Sequence, residues 1–158
     1  MEKKYLSWED VCQLIDRIVP RLTGHFDALV AITRGGIVPG GLLSERLGIR
    51  QVFIASVHFF RDEDQALDWP IFLQFPEDGL LRGKRILVVD DIWIKGITIA
   101  NVRERIIQAG GEAVTLVLHY RPDSSSVTPP DLLPDIFGEQ TEDYIVYPWE
   151  AERRTLGV

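Results

Sequence analysis

Two adjacent carboxylates close an apolar run in RILVVDDIWIKGIT, Arg85 to Thr98. Asp90 and Asp91 cannot both be buried as unpaired ions, so they face solvent, a cation or hydroxyl donors. Vicinal sugar hydroxyls and a hydrated metal ion would each satisfy them. After four residues, Gly96-Ile97-Thr98 opens a helix. Its first backbone N–H groups and the Thr98 hydroxyl can hold a phosphate. A second loop, TRGGIVPGG (Thr33 to Gly41), follows another apolar run. Arg34 supplies a fixed positive charge, and Gly35 and Gly36 let the backbone approach an anion closely. Plainer readings exist for each part. The glycines suit a tight turn, the aspartates a surface turn, and Thr98 a helix N-cap. An acidic cluster of receiver type is another, although it would also draw on an acidic pair near the start of the chain. Taken together, the loops favour a phosphorylated sugar. One offers positive charge and amides; the other offers paired carboxylates and a phosphate cradle.

Both loops need rigid elements behind them. DALVAI (27–32), QVFIASV (51–57), RILVVD (85–90) and AVTLVL (113–118) are short and almost continuously apolar. Runs of this kind suit strands buried on both faces, as in a parallel sheet. Helical patterns follow the first and third of them, over 39–47 and 98–109, the latter stopped by Gly110-Gly111. Ser7-Trp8-Glu9-Asp10 reads as a capping box, with Val11, Leu14, Ile15 and Ile18 at helical spacing after it. Alternating strands and helices predict a doubly wound α/β fold with a mainly parallel sheet of about five strands, whose ligands bind at the carboxyl ends of the strands. Residues 61–79 predict a mobile loop or a short hairpin. Residues 123–142, rich in Pro, Ser and acidic side chains, lie outside the expected core and lead to a last short strand in DYIVYPWE, 143–150.

Composition narrows the function classes. The 158 residues suit one domain, 46% apolar and 26% charged. A net charge of −7 argues against nucleic acid as the main partner. The lone Cys12 precludes an intrachain disulfide, and His25, His58 and His119 are scattered rather than spaced as zinc ligands. No segment approaches the roughly 18 continuous apolar residues of a membrane span, and MEKKYLSWED contains no signal-like apolar run. The expected partners exclude membranes, and the expected compartment is the cytoplasm.

VVDDIWIKGIT resembles the phosphoribosyl pyrophosphate (PRPP) signature of type I phosphoribosyltransferases: a buried strand, two acidic residues, then a loop ending in Thr-Gly-x-Thr. TRGGIVPGGLLSERLGIR resembles the pyrophosphate loop and following helix of the bacterial xanthine–guanine branch, and DYIVYPWE that branch's base-binding segment. The likeness runs in order from about Ser7 to Glu150, with 61–79 matching poorly. It implies one domain over 1–158, with a core over about 7–120 and a base-binding hood over about 121–158. By residue, it implies that Asp90 and Asp91 hold the ribose hydroxyls, with Asp91 near Mg2+. Lys95, Gly96, Ile97 and Thr98 would hold the 5′-phosphate, and Arg34 and Gly35 the pyrophosphate. The Thr33–Arg34 peptide would be cis. Tyr144 would stack on the base, Arg121 would contact the exocyclic oxygen of a 6-oxopurine, and the Ile145 backbone would read the other base edge. Residues 61–79 would close over the reacting atoms. Tyr144 as core and Arg121 as a surface charge are the plainer alternatives, and Trp149 reads as packing. Relatives form homodimers or homotetramers.

Ile94-Lys95 departs from the family pattern, which has Asp-Thr there. In the purine branch that Asp sits near N7 of the base. Ile94 can neither bond N7 nor move a proton, and such help is worth roughly 10²–10⁴ in rate. Two expectations follow. One is a Mg2+-dependent purine phosphoribosyltransferase with turnover lowered at Ile94-Lys95. The other is a weak or inactive regulator on the same fold that binds PRPP or a nucleotide.

Overall fold

The computed structural model describes residues 2–61, 68–122 and 128–150. Its elements are β1 (Lys3–Tyr5), α1 (Trp8–Ile18), β2 (Ala28–Ile32), α2 (Ile37–Leu47), β3 (Val52–Arg61), β4 (Asp68–Gln74), α3 (Asp78–Leu81), β5 (Arg85–Trp93), α4 (Ile97–Gln108), β6 (Glu112–Tyr120), β7 (Ile136–Gln140) and β8 (Tyr144–Val146). A six-stranded sheet has the order β4-β3-β2-β5-β6-β7, and β1 pairs with β8 in a small parallel sheet. Within the large sheet only β4 runs antiparallel to its neighbour.

The four apolar runs are β2, β3, β5 and β6. In register, Val30 sits between Phe53 and Val88, and Val88 also faces Thr115. Alternate residues go to opposite faces. Leu29, Ala31, Leu87 and Val89 pack with Val11, Ile15 and Ile18 of α1 and Leu43 of α2. Val30, Ile32 and Val88 pack with Ile99, Val102 and Ile106 of α4. Helices on both faces bury the central strands, Ala28–Ile32 of β2 and Ile86–Val89 of β5, as continuous apolar strands require. The capping box is formed: the Ser7 side chain accepts from the Asp10 N–H, and Asp10 accepts from the Ser7 N–H.

Several elements differ from the sequence reading. The large sheet has six strands rather than about five. One addition is β4, because the 61–79 region forms an antiparallel hairpin with β3; residues 62–67 lie outside the described residues. The other is β7, drawn from the stretch expected to lie outside the core. IFGEQ lacks the buried-strand signature because it is an edge strand, every residue of it partly or fully exposed. The last strand is only Tyr144–Val146, since a helical turn begins at Pro148.

The order of the large sheet reverses between β2 and β5. After β2 the chain moves outward through α2 to β3, and after β5 through α4 to β6. That crevice is the topological switch point, where open α/β sheets bind ligands. Both chemically marked loops leave from it.

Candidate active site

The pairing of β2 with β5 ends at Val89, whereas β5 continues along β6 to Trp93. Asp90 and Asp91 therefore project beyond the end of β2. The Asp91 N–H donates to Asp90 Oδ1 at 2.9 Å, and the Ile92 N–H donates to Asp91 Oδ1 at 2.7 Å. Burial pushes the Asp90 carboxyl well above the usual range, and the charge on Asp91 adds to this. Burial likewise raises Asp91 to about 6, with Glu150 contributing repulsion. Two desolvated carboxylates side by side attract a cation. They are hard oxygen donors of the kind Mg2+ takes, usually one or two per site with water and substrate phosphates completing the shell. Among the described residues no cluster of three or more His, Cys, Asp or Glu side chains could hold a metal alone. The donor set thus fits Mg2+ held jointly with a phosphorylated ligand.

The Thr33–Arg34 peptide is cis. Gly35 lies directly against the Asp91 carboxylate, where a Cβ would collide with both oxygens. On the other side, Gly96 has φ +72° and sits on the Trp93 indole. Trp93 Nε1 donates to the Leu132 carbonyl at 2.7 Å, which ties this loop to the segment before β7. Helix α4 begins at Ile97 with Gly96 as N-cap, so Thr98 lies inside the first turn and is not the cap.

Two adjoining cavities result. One, about 710 Å³, is lined by Asp90, Lys95, Gly96, Ile97 and Thr98, with Phe59 of the hairpin on its wall. The other, about 350 Å³, is lined by Arg34, Gly35, Asp91, Arg121, Tyr144 and Ile145. Ile92 and Ile94 line both. All eleven residues singled out from sequence meet at this one place, drawn from β2, β5, β6 and β8 and their loops. Tyr144 is 40% exposed at the cavity rather than core, with the Arg121 guanidinium 5.5 Å from its ring centre. Trp149 does pack, stacked at 4.6 Å on Tyr147, and it also lines the second cavity.

The phosphoribosyl transferase domain model matches residues 3–151. The chain belongs to the phosphoribosyl transferase family. Curated relatives include the xanthine-guanine phosphoribosyltransferases of Gluconobacter oxydans, 26% identical over 92% of this chain and 83% of that one, and of Idiomarina loihiensis, 27% identical over 92% and 86%. Among solved structures, the purine phosphoribosyltransferase of Pyrococcus horikoshii superposes with a TM-score of 0.77 at 31% identity, covering 95% of each chain. The family fold is thus shared over nearly its whole length.

In this member of the family, sequence alone did not point to Tyr147 and Glu150, which also line the second cavity. Both lie in DYIVYPWE. Their role depends on a turn after β8 that local alternation does not announce. The Tyr147 N–H donates to Glu150 Oε2 at 3.1 Å, which aims that carboxylate inward.

The raised Asp91 value has a measurable consequence. Between the ordinary 3.8 and about 6, the folded chain holds a proton that the unfolded chain has lost. Stability therefore falls as pH rises through this window. Asp91→Asn removes the penalty. It is expected to stabilise the ligand-free protein at about pH 7.5 by roughly 1–2 kcal/mol, or some 2–8 °C in Tm, with little effect near pH 4. Thermal melts of both proteins across this range check it. A Tm difference independent of pH would count against a strained carboxylate.

Proposed function

We propose that this chain transfers the 5-phosphoribosyl group from PRPP to a 6-oxopurine (xanthine, guanine or hypoxanthine), giving the nucleoside monophosphate and pyrophosphate. The observation that carries the reading is the convergence of an acidic pair, a helix-opening loop, a cationic glycine loop and an Arg–Tyr pair on two adjoining cavities. The names of the relatives, xanthine-guanine and purine phosphoribosyltransferases, support the same substrate class.

In this reading, Lys95 to Thr98 hold the 5′-phosphate at the start of α4, and Asp90 and Asp91 hold the ribose hydroxyls. Arg34 and Gly35 take the pyrophosphate. Tyr144 stacks on the base, Arg121 contacts its exocyclic oxygen, and the Ile145 backbone reads the opposite edge. A nitrogen of the base attacks C1′ as the bond to pyrophosphate breaks, through a transition state in which the ribosyl ring carries positive charge, and the base sheds one N–H proton to solvent. The aspartates lie beside that charge, and Arg34 lies where the leaving group gains its own. Mg2+, held by Asp91 with the substrate, would supply charge neutralisation at the pyrophosphate. The closing role expected of 61–79 falls partly on residues 62–67, outside those described.

We propose a cytoplasmic homodimer or homotetramer. Exposed Trp69, Ile71 and Leu73 along β4 support association. Among the described residues no helix is long and apolar enough to cross a membrane.

A second reading is a weak or inactive regulator that binds PRPP or a nucleotide. Ile94 favours it, since an apolar, 42% exposed side chain stands where the two cavities meet. A turnover assay with Mg2+, PRPP and each purine base decides between them. Nucleotide formation with a 6-oxopurine is the expected result. Tight calorimetric binding of PRPP without turnover would transfer the assignment to the regulator.

A further inference from the structure

Tyr147 and His119 lie deep in the molecule, 2% and 1% exposed, yet neither is placed there by apolar packing alone. The Tyr147 hydroxyl donates to the Asp91 backbone oxygen at 2.9 Å and lies 2.8 Å from His119 Nδ1. A phenol has one proton to give. With it committed to Asp91, the Tyr147 oxygen must accept from His119, and Nδ1 must carry the imidazole proton. Nε2 is then the unprotonated nitrogen. It lies 3.9 Å from Glu139 Oε2, beside a cavity of about 220 Å³ lined by residues of β1, α1, β6 and β7.

Asp91 carries a desolvated carboxylate packed against Gly35, and its own backbone is what Tyr147 holds. Tyr147 also stacks on Trp149 and follows directly on the Tyr144–Val146 strand. It thereby joins the segment that would read the base to the strand end that would hold the ribose and metal.

We propose that His119 and Tyr147 are positioning residues for Asp91, acting as a relay from His119 Nδ1–H through the Tyr147 hydroxyl to the Asp91 carbonyl that locks the carboxylate-bearing strand end to the base-reading segment. The assignment rests on the transferase reading above. Small misplacements of a reacting group cost rate more than ground-state affinity. Relay loss should therefore appear in kcat and leave the KM for the base nearly unchanged.

The test compares Tyr147→Phe, His119→Leu, His119→Asn and the Tyr147→Phe/His119→Leu pair with the wild type. Each is assayed for phosphoribosyl transfer well below its Tm, and His119 is followed by 15N NMR. Tyr147→Phe and His119→Leu are each expected to lower kcat about five- to tenfold, with the KM for the base within about twofold. His119→Asn places an amide N–H where Nδ1–H was and should recover most of the rate. The double variant should be no slower than Tyr147→Phe, because both act on one relay. In the wild type at neutral pH, NMR should show the proton on Nδ1. A proton on Nε2, an unchanged kcat in both single variants, or His119→Asn as slow as His119→Leu would each overturn the relay while leaving the transferase reading intact. A wild type that neither turns over nor binds PRPP would overturn the transferase reading, and the relay's role with it.

Discussion

Asp91→Asn is expected to lower kcat for phosphoribosyl transfer by about 10³-fold, or ~4 kcal/mol in barrier, without unfolding the protein. The substitution keeps the shape of the side chain, and the amide oxygen can still accept from the Ile92 N–H. The negative charge is what disappears. That charge is set between burial, Asp90 and Glu150, and it stands against the glycine of the cationic loop. A group that raises stability when neutralised, as the pH dependence above predicts, is being kept charged for another purpose. The same variant should thus gain thermal stability near neutral pH while losing turnover and affinity for Mg2+ with PRPP. Rapid-quench kinetics, calorimetry and thermal melts on one preparation check all three. Unchanged turnover would remove Asp91 from the chemistry and leave the acidic pair a surface feature.

Ile94→Asp with Lys95→Thr is the change expected to raise activity. Both side chains are exposed, so the folding cost should stay within about 0.5 kcal/mol. Ile94 lines both cavities, and no described bond or buried contact requires an isoleucine there. A carboxylate at this junction would stand beside the base and could assist proton transfer, an effect typically worth 10²–10⁴. We expect kcat to rise by about 10²-fold, at the lower end because the neighbouring aspartates repel a third charge. Lys95→Thr alone should change mainly the KM for PRPP, since Lys95 lines only the phosphate cavity. Steady-state kinetics on the single and double variants separate the two contributions. A double variant slower than wild type would mean that Ile94-Lys95 is itself adapted to what this site binds, and would strengthen the regulatory reading.

How much of this could be read before folding follows from where each residue's partners lie. β2, β5 and β6 announce themselves because strands buried on both faces must be apolar at nearly every position, and β3, only partly buried, carries the same apolar run. The Ser7–Asp10 cap is legible because its partners are three residues apart. The acidic pair and the glycine loop stood out for the complementary reason: their residues are costly or unusual where they stand. The short strand in DYIVYPWE was legible as β8, but β1 and β7 carry no such mark. Lys3–Tyr5 and Ile136–Gln140 are short and exposed, and pair only because other elements present an open edge. The meeting of the eleven site residues on one crevice is likewise a product of sheet order, since Arg34 and Tyr144 come from distant parts of the chain. The His119–Tyr147–Asp91 relay spans separations of 28 and 56 residues, and a histidine in a strand or a tyrosine after one has no local pattern that betrays its partner. Local sequence thus determined the strands, the loops and the kind of ligand they suit. Which buried polar atoms face one another was decided only by tertiary packing, because a hydrogen bond depends on distance in space and not along the chain.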